Sequence, residues 1–219
     1  MANILITGAT RGIGQAMFGH YAARGDKVTG TYRGQAPDDG HWLQLDVANP
    51  NDFETLCHDF EPEALDLLIC NAGVYLDKDH SLADGYAPQL WADSFATNVT
   101  GVFLTVQTML PKLQLSKAPK IAIISSQMAS SERAPGGSYI YRASKAAALN
   151  LGRNLAADFE GLGIAVGIYH PGWVQTDMGG GAADITVDAS ANGLIERFDA
   201  LSLKTTGCFE TWDGRAHAY

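Results

Sequence analysis

The stretch YIYRASKAAALN, Tyr139 to Asn150, places Tyr141 and Lys145 four residues apart. On an α-helix that spacing sets a phenol and an ammonium on one face, one turn from each other. A nearby positive charge stabilises a phenolate and lowers the phenol pKa from its ordinary value of about 10. The pair therefore suits proton transfer to or from an oxygen, although the same spacing also occurs in ordinary surface pairs. A second constellation is TGATRGIG, Thr7 to Gly14, in which Gly8, Gly12 and Gly14 follow a short apolar run directly. A glycine-rich turn between a strand and a helix exposes backbone N–H groups at the helix N-terminus, where a dinucleotide pyrophosphate can rest. The spacing here is GxxxGxG, and Thr10, Arg11 and Ile13 complete the turn.

The second apolar run ends TYRGQ, and Arg33 stands 19 residues after Gly14, with no carboxylate between it and Asp38. A site for the unphosphorylated dinucleotide places Asp or Glu near this point to bind the ribose 2′-hydroxyl. Arg33, with Arg11 inside the glycine turn, instead suits a 2′-phosphate, which a guanidinium grips bidentately. NADP(H) is therefore expected over NAD(H).

These side chains need a frame, and its pattern is regular. Strand candidates fall at 3–7, 27–32, 42–47, 65–70, 120–125, 164–170 and 208–212, several of them apolar on both faces. Helical patterns lie near 12–24, 50–60, 90–113, 139–160 and 187–201. At the second of these Asn49 can cap, Pro50 fits the first helical position, and Asp52 and Glu54 favour the helix dipole. Strands buried on both faces and alternating with helices predict an α/β fold, a doubly wound, seven-stranded parallel sheet of Rossmann type flanked by helices. No linker, repeat or low-complexity tract interrupts the pattern, so residues 1–219 read as a single domain, with 173–191 as a short segment covering the substrate.

Composition narrows the function further. The chain has 219 residues, 46% of them hydrophobic, and a net charge of -9. That balance fits neither a nucleic-acid binder nor an anionic membrane surface as partner. Cys57, Cys70 and Cys208 are odd in number and lack CxxC spacing, as expected of free thiols in a reducing cytoplasm. None of the six histidines pairs with another at helical ligand spacing, so no metal is expected. The N-terminal MANILITGAT is not a signal peptide by pattern, and no apolar run approaches the roughly 20 residues of a membrane span. A cytoplasmic location is expected.

With these motifs in order, the sequence resembles the short-chain dehydrogenase/reductase family along nearly its whole length. TGATRGIG is similar to the family's cofactor turn. LDV at 45–47 resembles the segment whose Asp, here Asp46 followed by Val47, contacts the adenine. CNAG at 70–73 corresponds to the family's NNAG, with Asn71, Ala72 and Gly73 on the adenine-ribose side and Cys70 in place of the first Asn. NVTG at 98–101 carries the family's helix Asn as Asn98, IISS at 123–126 its active-site Ser as Ser126, and YRASK at 141–145 its YxxxK pair. HPGWVQTDM at 170–178 is similar to the PG segment at the nicotinamide end, with Pro171, Gly172, Val174 and Thr176. More narrowly, YIYRASKAAALN, HPGWVQTDMGG and GCFETWDG resemble the small carbonyl reductases grouped with the C-factor and Sniffer proteins. Ser126 precedes Tyr141 by 15 positions, wider than the family's spacing, and reads as a two-residue insertion. Ser125 and Ser130 remain weaker candidates.

The resemblance implies an NADPH-dependent oxidoreductase moving hydride between nicotinamide and the carbonyl or secondary alcohol of a small apolar substrate. In it Tyr141 is the proton donor, Lys145 lowers the phenol pKa and binds the nicotinamide ribose, and Ser126 positions the carbonyl. Asn98 would hold a water that links Lys145 to solvent. Val174 backbone would meet the carboxamide and Thr176 a phosphate. Trp173, Met128, Met178, Tyr75 and Tyr139 are candidates for an apolar pocket wall or for ordinary core, and His170 for a buried, hydrogen-bonded residue. A homodimer or homotetramer paired through helices 90–113 and 139–160 is expected. The alternative is a dinucleotide-binding signalling or sensor protein with secondary or no catalysis.

Overall fold

A computed structural model describes all residues from 1 to 219. Seven parallel strands form one sheet: β1 (Asn3–Ile6), β2 (Lys27–Tyr32), β3 (His41–Gln44), β4 (Leu67–Cys70), β5 (Lys120–Ile124), β6 (Ala165–His170) and β7 (Phe209–Thr211). Their spatial order is β3-β2-β1-β4-β5-β6-β7. The chain winds outward from β1 in one direction and then returns to build from β4 in the other. The carboxyl ends of β1 and β4 therefore flank a topological switch point, where open α/β sheets bind ligands.

The helices are α1 (Gly12–Ala23), α2 (Phe53–Asp59), α3 (Pro88–Phe95), α4 (Gly101–Leu113), α5 (Tyr139–Glu160) and α6 (Val187–Ala200). Strand alternation divides the core between the two faces of the sheet. Ile4, Ile6, Leu67 and Ile69 pack toward Met17 and Tyr21 of α1 and Leu194 and Phe198 of α6. Leu5, Leu68 and Ile121 pack the other way, against Val106 and Met109 of α4 and Leu155 of α5. Leu68 has no exposed surface. Leu68→Ala is expected to destabilise the fold by about 3 kcal/mol, from lost transfer energy plus a cavity, which urea unfolding would measure.

Three elements depart in form from the sequence expectation. β3 stops at Gln44, short of the expected 47, because Asp46 enters a turn: its N–H donates to Asp52 Oδ2 at 2.8 Å and its carbonyl accepts from Asn49 N–H at 2.9 Å. Asn49 and Pro50 start a helix as expected, but its first turn, Pro50–Asp52, is a 3₁₀ helix. The single helix expected over 90–113 is α3 and α4 joined by a π-helical turn, Ala96–Thr100. There Gly101 N–H reaches the carbonyl of Ala96, five residues back. The extra residue in that turn re-aims Asn98 into the protein, and π-turns of this kind are frequent at functional sites.

Candidate active site

The carboxyl ends of the strands enclose a cleft of about 680 Å³. Its floor is the glycine turn after β1. A Cβ on Gly14 would sit 2.4 Å from the Gly8 carbonyl oxygen, so only glycine lets α1 start this close to β1. No side chain caps the N-terminus of α1 and its first turn holds no acid, which leaves the helix dipole and N–H groups free for an anion. Thr7 Oγ accepts from the N–H groups of Asn71 and Ala72, and Asn71 Nδ2 donates to the carbonyls of Thr7 and Gly8 at 3.0 Å each. These bonds staple the turn after β4 onto the turn after β1. Cys70 sits in β4 as core, its thiol pushed up to about 12 by burial. The departure from the family's NNAG therefore lies in the core behind the cleft.

Gly8, Thr10, Arg11, Gly12, Ile13 and Gly14 line this cleft, as do Arg33, Asp46, Val47, Asn71, Ala72 and Gly73. Tyr141, Lys145, Pro171 and Thr176 complete the expected residues that face it. Gly172, Val174, Asn98 and Ser126 lie outside its lining. Val174 is buried and bridges to Ile185, while Gly172 turns the chain at φ 90. Sequence reasoning gave no role to Thr31, Gln35, Gln175 and Asp177, which also line the cleft although they lie within TYRGQ and HPGWVQTDM. Arg33 is exposed and pairs with no carboxylate. Arg11 pairs with Asp177 at 3.1 Å, an exposed contact of the sort that contributes little.

At the inner end Tyr141 and Lys145 line the cleft, with Asn98 and Ser126 just behind them. Lys145 is buried and its Nζ donates to the Ile124 carbonyl at 3.0 Å, 5.8 Å from the centre of the Tyr141 ring. Asn98 holds the opposite side: its Oδ1 accepts from Val74 N–H at 2.9 Å, and its Nδ2 donates to Val74 O and Ser144 Oγ. A Cβ on Gly73 would fall 3.2 Å from Lys145 Nζ and 3.3 Å from Asn98 Oδ1, so these two groups meet over a residue that has to be small. Ser126 caps a short 3₁₀ turn, accepting from Met128 N–H at 3.1 Å, and its hydroxyl bears on the Tyr141 phenol. The other serines are committed elsewhere. Ser125 Oγ donates to the Lys145 carbonyl and Ser130 Oγ to the Tyr219 carbonyl.

The electrostatics differ from the sequence expectation. Burial pushes the Tyr141 phenol up to about 12, with the Ser126 hydroxyl pulling down and Tyr75 and Asp77 adding to the rise. Lys145 is not among the groups that shift it, and burial lowers its own ammonium to about 8. The phenol is thus held protonated, the form that donates. His170 is buried and neutral, pushed down to about 4 chiefly by desolvation, and its Nδ1 accepts from Gly172 N–H.

The Lys145 shift has a testable consequence. Between pH of about 8 and 10.5 the unfolded chain holds this proton and the native state does not, so the contribution of Lys145 to stability rises with pH there. Lys145→Met is expected to unfold at higher urea than the wild type at neutral pH. That advantage should narrow as pH climbs from about 8 toward 10.5.

The mouth is spanned by residues 173–183. Trp173 Nε1 donates to the Gly179 carbonyl at 2.8 Å, and Lys78 Nζ reaches the Met178 carbonyl at 3.1 Å from the far bank. Among the candidate wall residues, Met178 lines the cleft and Tyr75 stacks on Tyr141, whereas Trp173, Tyr139 and Met128 lie outside the lining. A second hollow, about 780 Å³, opens at the amino ends of the strands. There Arg24 pairs with Asp26 and Asp199 at 2.6 Å, Asp66 accepts from Asn3 N–H and Ser116 Oγ, and Lys120 Nζ donates to the carbonyls of Phe198 and Asp199.

A doubly wound parallel sheet, a glycine-rich first turn and a Ser-Tyr-Lys corner at the switch point together define an oxidoreductase of the nicotinamide-dependent α/β class. The chain belongs to the short-chain dehydrogenase family, whose model matches residues 2–184. It is 36% identical over 152 residues to C-signal of Myxococcus xanthus, covering 68% of this chain and 90% of that protein. The carbonyl reductase Sniffer of D. melanogaster superposes with a TM-score of 0.91 at 27% identity, with complete coverage of both chains. The NADPH-bound carbonyl reductase from chicken fatty liver gives 0.90 at 29% identity, covering 100% of this chain and 99% of that one. No helix is long and apolar enough to cross a membrane.

Proposed function

We propose that the protein is an NADPH-dependent carbonyl reductase, reducing the carbonyl of a small apolar substrate to a secondary alcohol, or the reverse. The observation that carries this reading is the buried Tyr141–Lys145 corner opening on a dinucleotide-sized cleft, with Ser126 beside the phenol. The residues fit the cofactor: α1 presents an uncapped N-terminus, and Arg33 and Arg11 stand free or weakly paired at the ribose end. The dihydronicotinamide ring of the bound cofactor supplies the hydride.

The chain does the rest. Tyr141 gives its phenolic proton to the oxygen on which negative charge develops, and Ser126 donates a second hydrogen bond to that oxygen. Lys145 holds the nicotinamide ribose hydroxyls and steadies the phenolate left behind. Asn98 fixes the turn after β4 against α5 and leads the replacement proton from solvent toward Lys145. Arg33 and Arg11 select the 2′-phosphate, Asp46 and Val47 hold the adenine side, and Thr176 a phosphate. Assembly into a homodimer or homotetramer would pair α3, α4 and α5 between subunits; Trp91 and Phe103 are exposed on the first two.

The similarity to C-signal supports a second reading, in which dinucleotide binding itself is the output and catalysis is secondary. A panel of activated ketones, aldehydes and quinones, run with NADPH and with NADH, separates the two. Oxidation of NADPH by panel members supports the reductase. Tight NADPH binding with no turnover across the panel would favour the sensor.

A further inference from the structure

Beneath the first turn of α5 lies a buried carboxylate that no motif identifies. Asp77, on the loop after β4, has no exposed surface. Its two oxygens accept from Ile140 N–H at 2.8 Å and Tyr141 N–H at 3.1 Å, across more than 60 positions of sequence. These are helix-end donors that a local cap would ordinarily fill. The residue in the capping position, Ser138, makes no such bond: it stands in the left-handed region at φ 49, and its hydroxyl is hydrogen-bonded to Tyr75 instead. Tyr75 in turn stacks on Tyr141, ring centres 4.2 Å apart at 21°. No lysine, arginine or histidine pairs with Asp77. Its charge is met by the α5 dipole and the two N–H groups alone.

This is an expensive way to cap a helix, because burying a carboxylate without a cation costs desolvation energy that a surface Ser or Asp would not. What it adds is a rigid link between the loop walling the cleft and the backbone of the tyrosine that works in it. We propose that Asp77 is a positioning residue for Tyr141: it fixes the first turn of α5 and sets the phenol against Tyr75 within reach of Ser126.

The charged and titratable groups facing the phenol are few. Tyr75 and Asp77 come from the loop after β4, Ser126 from the turn after β5, and Lys145 from α5 itself. Asp77 is the one carboxylate among them, and it raises the phenol pKa.

The inference rests on Tyr141 as the proton donor, so Tyr141→Phe is assayed in parallel. Asp77→Asn keeps the shape, loses one acceptor and removes the charge; Asp77→Glu keeps the charge but moves it. Asp77→Asn is expected to lower kcat about ten- to a hundredfold, as small displacements of a catalytic group do. NADPH binding, read by fluorescence titration, should stay within about twofold of wild type. In alcohol oxidation, where the phenolate is the base, the rising limb of the pH profile should move to lower pH. Asp77→Glu should lose kcat with that limb in place.

Wild-type kcat in Asp77→Asn overturns the proposal. So does a lowered kcat with an unmoved limb, since that would leave Asp77 as a helix cap alone. If Asp77→Asn does not fold, Asp77→Glu decides: lowered kcat with NADPH binding within about twofold of wild type supports the proposal, and wild-type kcat refutes it. Full turnover in Tyr141→Phe would instead remove the proton donor itself, whatever the Asp77 variants show.

Discussion

Tyr141→Phe is expected to lower kcat by about a thousandfold, within the range for loss of a general acid, while NADPH binds as in the wild type. The substitution deletes one oxygen and keeps the ring, so the stack on Tyr75 at 4.2 Å survives. The backbone bonds that hold the first turn of α5 survive too, because Asp77 accepts from N–H groups and not from the phenol. What disappears is the only hydroxyl at this corner placed to deliver a proton while Ser126 holds the substrate oxygen. Stopped-flow reduction with NADPH measures the rate, and fluorescence titration the binding. Near-normal turnover in the variant would reject the role given to Tyr141.

Arg33→Asp is expected to reverse cofactor choice, lowering kcat/KM for NADPH by about a hundredfold and raising it for NADH. A charge-assisted hydrogen bond to a phosphate is worth about 1.5–3 kcal/mol, and the new carboxylate adds repulsion against the 2′-phosphate. The same carboxylate can accept from the 2′-hydroxyl of the unphosphorylated ribose. Arg33 is the better target of the two arginines because it is unpaired, whereas Arg11 bonds Asp177. Unchanged selectivity would show that the phosphate is read elsewhere, with Arg11 the next residue to change.

Much of this organisation is legible in the chain because local pattern carries it. β1, β4, β5 and β6 are apolar on both faces, since α1 and α6 cover one side and α4 and α5 the other. The glycine turn announces itself because a bulkier residue at Gly14 would strike the Gly8 carbonyl. Helical spacing puts Tyr141 and Lys145 on one face, and the ordered motifs around them single the pair out. The features that escape are set by contacts between distant parts of the chain. The π-turn at 96–100 differs from the surrounding helix by one residue and has no propensity signature, yet it aims Asn98 inward. Nothing in GVYLDKDH separates the buried Asp77 from its exposed neighbour Asp79. The direction of the Tyr141 shift was also hidden. Spacing shows that a lysine stands nearby, but the depth of burial that outweighs it belongs to the fold.

The most direct test is a crystal structure of the complex with NADP. The expected result has Tyr141 Oη and Ser126 Oγ converging on one point over the nicotinamide C4, with Lys145 Nζ at the ribose hydroxyls and Arg33 at the 2′-phosphate. A nicotinamide ring seated away from this corner, or a Tyr141 hydroxyl turned out of reach of any carbonyl placed over C4, would contradict it.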